Sequence, residues 1–419
     1  MNVTELINRG LFGEPAFLLG VVAFIGLVLI KAEPHQVISG TMKTMIGYIL
    51  LQIGATAAAA SLSNLTLIIQ EGFQIIGIIP HNEAITALVQ VNYGQQVAIM
   101  MIIGITGHVL LVRFTPLKYL FLSGHHILFM SSAIASVMVG SVFPSTTNYL
   151  IGGAVLALSM SLAPAIAQPF VRQVTGNNEI AVSHFNSVGY VLSGTIARMF
   201  SPPKKPFSFP KWMRQLDPLL QDHILMITFF SFMMFLISSL AVGPETVSEL
   251  FSGRNFLIFS LIQAMWFSAG MYVILTGVRM MLSEIIPAFK GLSEKWIPNA
   301  IPAVDSPVLF TYAPYAATFG FMISFSAGIV AMLIISVNQF TVIIPGVIPH
   351  FFSGGAAGVI AYKIGGTKGM VVSSFVHGIF ITVLPIFLIT FMSELGYMRT
   401  TFGDSDLNLI GILLGWLLQ

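Results

Sequence analysis

Charge is scarce in this chain and cysteine is missing. Of 419 residues only 8% are Asp, Glu, Lys or Arg, where soluble domains carry about a quarter. A fold with so few charges cannot clothe itself in a water-facing surface. The absence of Cys excludes disulfides, thiol nucleophiles and thiolate metal sites. The signs nearly cancel, 18 basic against 16 acidic residues for a net +2, so the charge balance points to no polyanionic partner and no nucleic acid is expected. A cleavable signal is not expected either. The opening "MNVTELINRGLFGEP" is polar, and the first apolar run continues as a span.

What remains is apolar: 56% hydrophobic residues and a mean hydropathy of +0.89. A span needs roughly 20 apolar residues, which leaves room for about ten or eleven spans. A barrel would alternate polar and apolar residues, and this chain does not, so an all-α polytopic membrane protein is expected. The runs predict spans near 15–31, 37–60, 95–112, 117–141, 147–171, 223–243, 254–276, 313–336, 341–362, 367–392 and 407–419. Between them, 62–92, 177–200 and 279–312 are semi-polar and broken by Gly or Pro. Irregular backbone at membrane depth survives only where protein buries it or it lines a wet cavity. Interrupted segments of this kind point to a transport site.

Orientation follows from Lys and Arg. Arg198, Lys204, Lys205, Lys211 and Arg214 precede the first acid, Asp217, and mark a cytoplasmic loop. That loop is also a candidate dock for an acidic soluble partner. The chain repeats itself as well. Glu83 and Asp305 stand 222 residues apart, as do Gly124 and Gly346, and Tyr93 and Tyr312 follow the two acids at similar distances. By the Lys and Arg count the first copy enters the cytoplasm and the second leaves it. This predicts two inverted repeats, 1–222 and 223–419, with the binding site at their interface.

The polar residues in the interrupted segments are the candidate site. An unpaired carboxylate at membrane depth is costly and reads as functional by default, which singles out Glu83 and Asp305. The plain alternative for either is a helix cap or an ion pair. For His184 it is a satisfied core histidine. His125 and His126 are adjacent and cannot share one helix face, so one of them is expected to point inward. His350 and Asn186 are secondary candidates, while His35, His108, His223 and His377 read as structural or interfacial. No HExxH and no GxxxxGK[ST] occurs, so neither a metal nor a nucleotide cofactor is expected. No hydrolase triad stands out, and no catalytic residue is assigned. The alternative from the residues alone is an ion-coupled secondary transporter in which the two acids carry protons or Na⁺.

Five stretches carry a family resemblance: "ISGTMKTMIGYILLQIGA" (38–55), "LSGHHILFM" (122–130), "TGVRMMLSEIIPAFKGLSEKWIPNAIPAVD" (276–305), "YAPYAATFGFM" (312–322) and "IIPGVIPHFFS" (343–353). Through them the chain resembles the ascorbate-type membrane subunit, the IIC component, of the bacterial phosphotransferase system, a relative of the galactitol-type subunits. The resemblance implies a homodimer of eleven-span protomers in the bacterial cytoplasmic membrane. It implies a V-shaped dimer domain, here about 15–60 and 223–280, and a core domain from the remainder. It implies sugar contacts at Asn82 and Glu83, along the turn His125, His126, Ile127, Leu128 and Phe129, at His184 and Phe185, and at Asp305. Its partners would be the soluble IIB and IIA subunits, with IIB supplying the phosphate. Ascorbate-binding members carry aromatic or amide side chains where this chain has Glu83, Phe129 and Phe185, which points to a ligand richer in donors, such as a polyol or neutral sugar.

Overall fold

The computed structural model describes residues 15–73, 77–138, 143–202, 223–295, 297–337, 341–392 and 400–418. Lys204, Lys205, Lys211, Arg214 and Asp217 of the basic loop lie outside them. Among the described residues the architecture is helical, with five short parallel strands. In chain order it runs α1 (Pro15–Leu29), α2 (Pro34–Phe73), β1 (Ile79–Pro80), α3 (Asn82–Phe114), β2 (Tyr119–Phe121), α4 (Gly124–Met138), α5 (Ser145–Thr175), β3 (Ala181–Val182) and α6 (Ser187–Ala197). It continues with α7 (His223–Val242), α8 (Pro244–Leu250), α9 (Phe256–Lys295), β4 (Ile301–Val304), α10 (Pro307–Phe310) and α11 (Pro314–Val337). A π-helical turn, His350–Gly354, then leads into α12 (Gly355–Leu388), followed by β5 (Thr400–Thr401) and α13 (Ser405–Leu418).

Among the described residues, six helical stretches are long and apolar enough to cross a membrane, and a seventh if α7 and α8, bent by 103°, count as one. The sequence leads one to expect eleven. Much of the difference lies in short helices: α1 and α4 have 15 residues and α13 has 14. At 1.5 Å per residue such a helix is about 22 Å long, short of the roughly 30 Å hydrocarbon layer. The run expected to span 117–141 instead opens as strand β2 and continues as the short α4. The runs expected at 341–362 and 367–392 are joined through α12, whose axis breaks at Gly366 (φ 63, ψ −162), a conformation only glycine adopts readily. Helix α3 breaks similarly at Tyr93 (φ −133, ψ 22).

The spacing of 222 recurs in the elements. Helices α2 and α9 are each 40 residues long and start at 34 and 256. The apolar part of α3 starts at Asn92 and α11 starts at Pro314. The strands obey the same spacing in a crossed way. β4 is flanked by β2 and β3, with Leu120 opposite Pro302 and Val182 opposite Val304. β1 is flanked by β5, Ile79 opposite Thr400, and by a bridge from Ile78 to Ile343. Each central strand therefore comes from the half of the sequence that its two neighbours do not belong to.

Two helix crossings are set by glycine. A Cβ on Gly54 of α2 would lie 2.5 Å from the Gly270 carbonyl oxygen of α9, and one on Gly358 of α12 would lie 2.5 Å from Gly320 Cα of α11. Lipid tails are as apolar as the side chains, so close backbone approach of this kind carries much of the helix association. Helices α1, α2, α7 and α9 pack together, and α11 packs on α12. On the outer face of α9, Ile258, Leu261, Met265 and Trp266 are exposed, as lipid-facing residues would be.

Candidate functional site

Two of the short strands deliver acids to one cavity. Asp305 follows β4 directly, and Asp404 follows β5 by three residues. His125 and His126 sit in the first turn of α4, and His184 lies between β3 and α6. The cavity, of about 520 Å³, is lined by these five residues with Asn82, Phe129, Ile348, Pro349 and Phe352, and on the α2 side by Tyr48, Gln52 and Thr56.

Asp305 is the hub. Its Oδ1 accepts from His184 Nδ1 at 2.8 Å and from the Ser306 amide at 2.6 Å. Its Oδ2 lies 3.2 Å from His125 Nε2, and His126 Nε2 is 3.5 Å from Oδ1. Both adjacent histidines thus face the same carboxylate, against the expectation that only one would point inward. Successive residues at a helix start diverge by about 100°, and an acid placed off the helix end lies within reach of both. Their rings lean together with centroids 4.5 Å apart.

The protons can be counted from the donors. The Tyr48 hydroxyl lies 3.2 Å from His125 Nδ1. A hydroxyl hydrogen given to Nδ1 leaves the Nε2–H to donate to Asp305. His184 differs. Its Nδ1 meets a carboxylate, while its Nε2 lies 3.0 Å from Ser353 Oγ and 3.5 Å from Asp404 Oδ1. Ser353 spends its hydrogen on Asp404 in a short contact, so it offers His184 only lone pairs. Both ring nitrogens then donate, and His184 is an imidazolium between two acids. Charged hydrogen bonds of this kind are the strong ones.

Asp404 and its loop are built as firmly. Asn82 Nδ2 donates to Asp404 Oδ2 at 2.7 Å, and the Gly403 amide returns a bond to Asn82 Oδ1 at 2.8 Å. Asn82 therefore clamps the acid, with its amide largely spent on this loop. Asp406 accepts from the backbone amides of Ser187 and Val188 at 2.7 and 2.9 Å. It caps α6 from the far end of the chain, and favourably so at a helix N-terminus.

Of the residues expected at the site, the structure brings Asn82, His125, His126, Phe129, His184 and Asp305 to the cavity. Ile127 and Leu128 pack in a hydrophobic core instead, because the helix turns them away from its acid-facing side. Phe185 is buried against Phe121, rings 4.8 Å apart, and does not line the cavity. Glu83 stands in the first turn of α3, and its side chain lies outside the described residues. His108 bonds Ser161 and the Phe121 amide. His377 bonds Asn186 and Ser324, and His350 bonds Ser324 and Thr382, all in the protein interior.

Asp404 and Ser353 escaped the sequence reading. The available signal is the pair of acids in "GDSD", just before the span expected at 407–419. Two sets, His125, His126 and Asp305, and His126, His184 and Asp404, hold donor atoms within 4.8 Å of one another and could hold a metal ion. Apart from His126, whose Nδ1 has no hydrogen-bond partner among the described residues, these side chains already bond protein groups, which favours a network over an ion.

An acid–imidazole network of this sort, walled by Phe and Pro in a chain of membrane-spanning helices, suits a small hydroxylated solute. Comparison with known proteins gives the family. Residues 10–406 match the PTS system sugar-specific permease component, EIIC-GAT. The chain belongs to this permease family. A curated relative, the "Ascorbate-specific PTS system EIIC component" of Mycoplasma pneumoniae, is 24% identical over an alignment covering 87% of the present chain. The chain spans 63% of that relative's length. Membership in the permease family and the candidate spans together make this an integral membrane protein.

Proposed function

We propose that the chain is the IIC permease subunit of a bacterial phosphotransferase system, residing in the cytoplasmic membrane. It binds a carbohydrate, ascorbate-like or a polyol, in the Asp305–His184–Asp404 cavity. A soluble IIB subunit, itself charged by IIA, phosphorylates the sugar as it is taken up. The observation that carries this reading is the cavity: a network of carboxylates and imidazoles facing Phe129, Phe352 and Pro349. Carboxylates accept from vicinal hydroxyls, imidazoles bind them from either side, and the apolar wall takes the C–H face of a sugar. Glu83, at the position 222 residues before Asp305, belongs to the proposed contacts. Phosphorylation turns the ligand into an anion beside carboxylates, which favours its release.

The finer architecture is proposed on the same footing. Two inverted repeats, 1–222 and 223–419, are supported by the 222-residue spacing of α2 with α9 and by the crossed strands. Helices α1, α2, α7 and α9 would form the V-shaped dimer domain and the remainder the core. The cavity would lie at their boundary, since α2 contributes Tyr48, Gln52 and Thr56. The exposed apolar face of α9 suits lipid or a second copy of the chain.

The test is uptake into proteoliposomes of the purified protein, with labelled galactitol and ascorbate as probes. Accumulation of sugar phosphate only when phosphorylated IIB is supplied supports the reading. Accumulation of free sugar driven by an ion gradient alone overturns it in favour of a secondary transporter.

A further inference from the structure

Beside the Asp305 cavity lies a second space, a groove of about 560 Å³ between α2 and α9. Gln52 and Thr56 line both, so the two adjoin along α2. The helices give the direction. They pass antiparallel, with Gly47 against Met281, Gly54 against Gly270, and the Ser61 hydroxyl donating to the Gln263 carbonyl at 2.8 Å. Lys31, Lys43 and Arg279 lie toward the Gly47 end, where Lys43 pairs with Glu284 at 3.1 Å. The other end has Arg254 against Glu245 and Glu249. The excess of Lys and Arg makes the Gly47 end cytoplasmic. The groove, around Ser61 and Gln263, therefore sits on the outward side.

Its lining is polar for a surface at membrane depth. Five of the ten described lining residues, Gln52, Thr56, Ser61, Asn64 and Gln263, carry an amide or a hydroxyl, and none of the ten is ionisable. An acyl chain seated here would leave those groups without partners, at a cost. Asn64 Nδ2 donates to Gln263 Oε1 at 3.0 Å, which leaves the Gln263 amide hydrogens and the Asn64 oxygen for a ligand. A hydroxyl both donates and accepts, and suits such a pair. Trp266 stands on the rim, 59% exposed, and an indole offers its face to the C–H side of a sugar. No charge grips a ligand here. It is held more weakly than among the carboxylates and imidazolium of the Asp305 cavity.

We infer that this groove is an outer subsite of the transport path. A hydroxylated solute arriving from outside docks on the Asn64–Gln263 amides beside Trp266, then passes along Gln52 and Thr56 to Asp305. The inference rests on the permease reading and adds to it a place where the solute stops before the acids take it.

The experiment uses the absence of cysteine. Ala60→Cys puts one thiol on the groove lining, in the full chain in right-side-out membrane vesicles, and a membrane-impermeant maleimide reads its exposure. Labelling from outside is expected. At least one of galactitol, xylitol and ascorbate should slow it about tenfold, at about ten times the half-protecting concentration. Adding Gln263→Leu or the exposed Trp266→Ala should raise that concentration by about fivefold. Adding Asp305→Asn should leave it unchanged, while calorimetric titration of the purified chain in lipid nanodiscs shows the Kd of the Asp305 cavity rising. A thiol that does not label, as under lipid, or that cross-links to a second copy of the chain, overturns the inference. So does protection that follows the Asp305 Kd or ignores both groove variants. Each of these results leaves the permease reading intact. A wild type that takes up none of the three probes with phosphorylated IIB strikes that reading, and this inference falls with it.

Discussion

Replacing Asp305 by Asn tests the centre of the site with the smallest structural disturbance. The side chain is 8% exposed, so its bonds are largely shielded from bulk water. If the amide oxygen takes the Oδ1 position, it keeps the Ser306 amide at 2.6 Å and His184 Nδ1 at 2.8 Å. The amide nitrogen then faces His125 Nε2, formerly 3.2 Å from a carboxylate oxygen. His125 must move its proton to Nδ1 and donate to Tyr48. The shape survives, and the charge does not.

The magnitude follows. Hydrogen bonds to charged groups contribute about 1.5–3 kcal/mol and neutral ones about 1. Downgrading the bonds from His184 and His125 should cost roughly 2 kcal/mol of stability. A ligand hydroxyl that gave its proton to the carboxylate loses a similar amount, about a 10- to 100-fold rise in Kd. Asp305→Ala goes further and leaves an imidazolium half-paired in the interior, at about 3–5 kcal/mol. Calorimetric titration with the best-binding of galactitol, xylitol and ascorbate, beside thermal unfolding in the same nanodiscs, reads both effects. An Asp305→Asn protein that folds and binds within threefold of wild type would refute the placement of ligand on this carboxylate.

Other perturbations follow from the same network. Ser353→Ala removes the hydroxyl between His184 and Asp404; a loss of about tenfold in ligand affinity is expected by titration, with a smaller loss of stability. Tyr48→Phe deletes the bond from α2 to His125; affinity should fall by about fivefold with unfolding temperature nearly unchanged. Asp406→Ala uncaps α6 at Ser187 and Val188; stability should drop by about 1–2 kcal/mol, seen as a lower unfolding temperature. Gly358→Val puts a side chain where a Cβ would stand 2.5 Å from Gly320 Cα; the α11–α12 crossing should open and the yield of monodisperse protein collapse on size-exclusion chromatography.

The medium, the helical class and the segments that carry the candidate site could be read from the residues, because each rests on a cost that composition exposes. A chain with 8% charge must hide in lipid, and an acid in such a chain must have a reason. Asp305 stands out for that cause, while His184 comes in through the family resemblance. Asp404 did not, because its significance depends on β5 pairing with β1 across more than 300 residues, a contact that no local pattern encodes. The short strands were missed for a related reason. Two or three residues such as Ala181–Val182 show no alternation, and they pair only because the rest of the fold brings them side by side. Ile127 and Phe185 came in as neighbours of true cavity residues; sequence adjacency does not tell which way a side chain turns.

The crossed strands constrain how such a site can open. Ile301 N bonds Lys118 O, Leu122 N bonds Ala303 O and Ser183 N bonds Val304 O, at 2.8 to 3.0 Å. On the other sheet Ile78 bonds Val342 and Ile344, and His81 bonds Thr401, at 2.8 to 2.9 Å. Parting the two sequence halves would break all six bonds, and those between buried residues, Leu122 with Ala303, Ser183 with Val304 and Ile78 with Ile344, would go unreplaced by water at several kcal/mol each. The halves cannot swing apart as rigid units. Motion that exposes the cavity has to run along a surface that crosses neither sheet, and the face of α2 bearing Tyr48, Gln52 and Thr56 is such a surface. There Tyr48 meets His125 through a side-chain hydrogen bond at 3.2 Å, a contact that a hydroxylated ligand can replace. A cross-link from position 52 of α2 to Phe352, set by double cysteine substitution in this cysteine-free chain, should therefore arrest transport and leave binding in place. Transport undiminished by that cross-link would put the moving surface elsewhere.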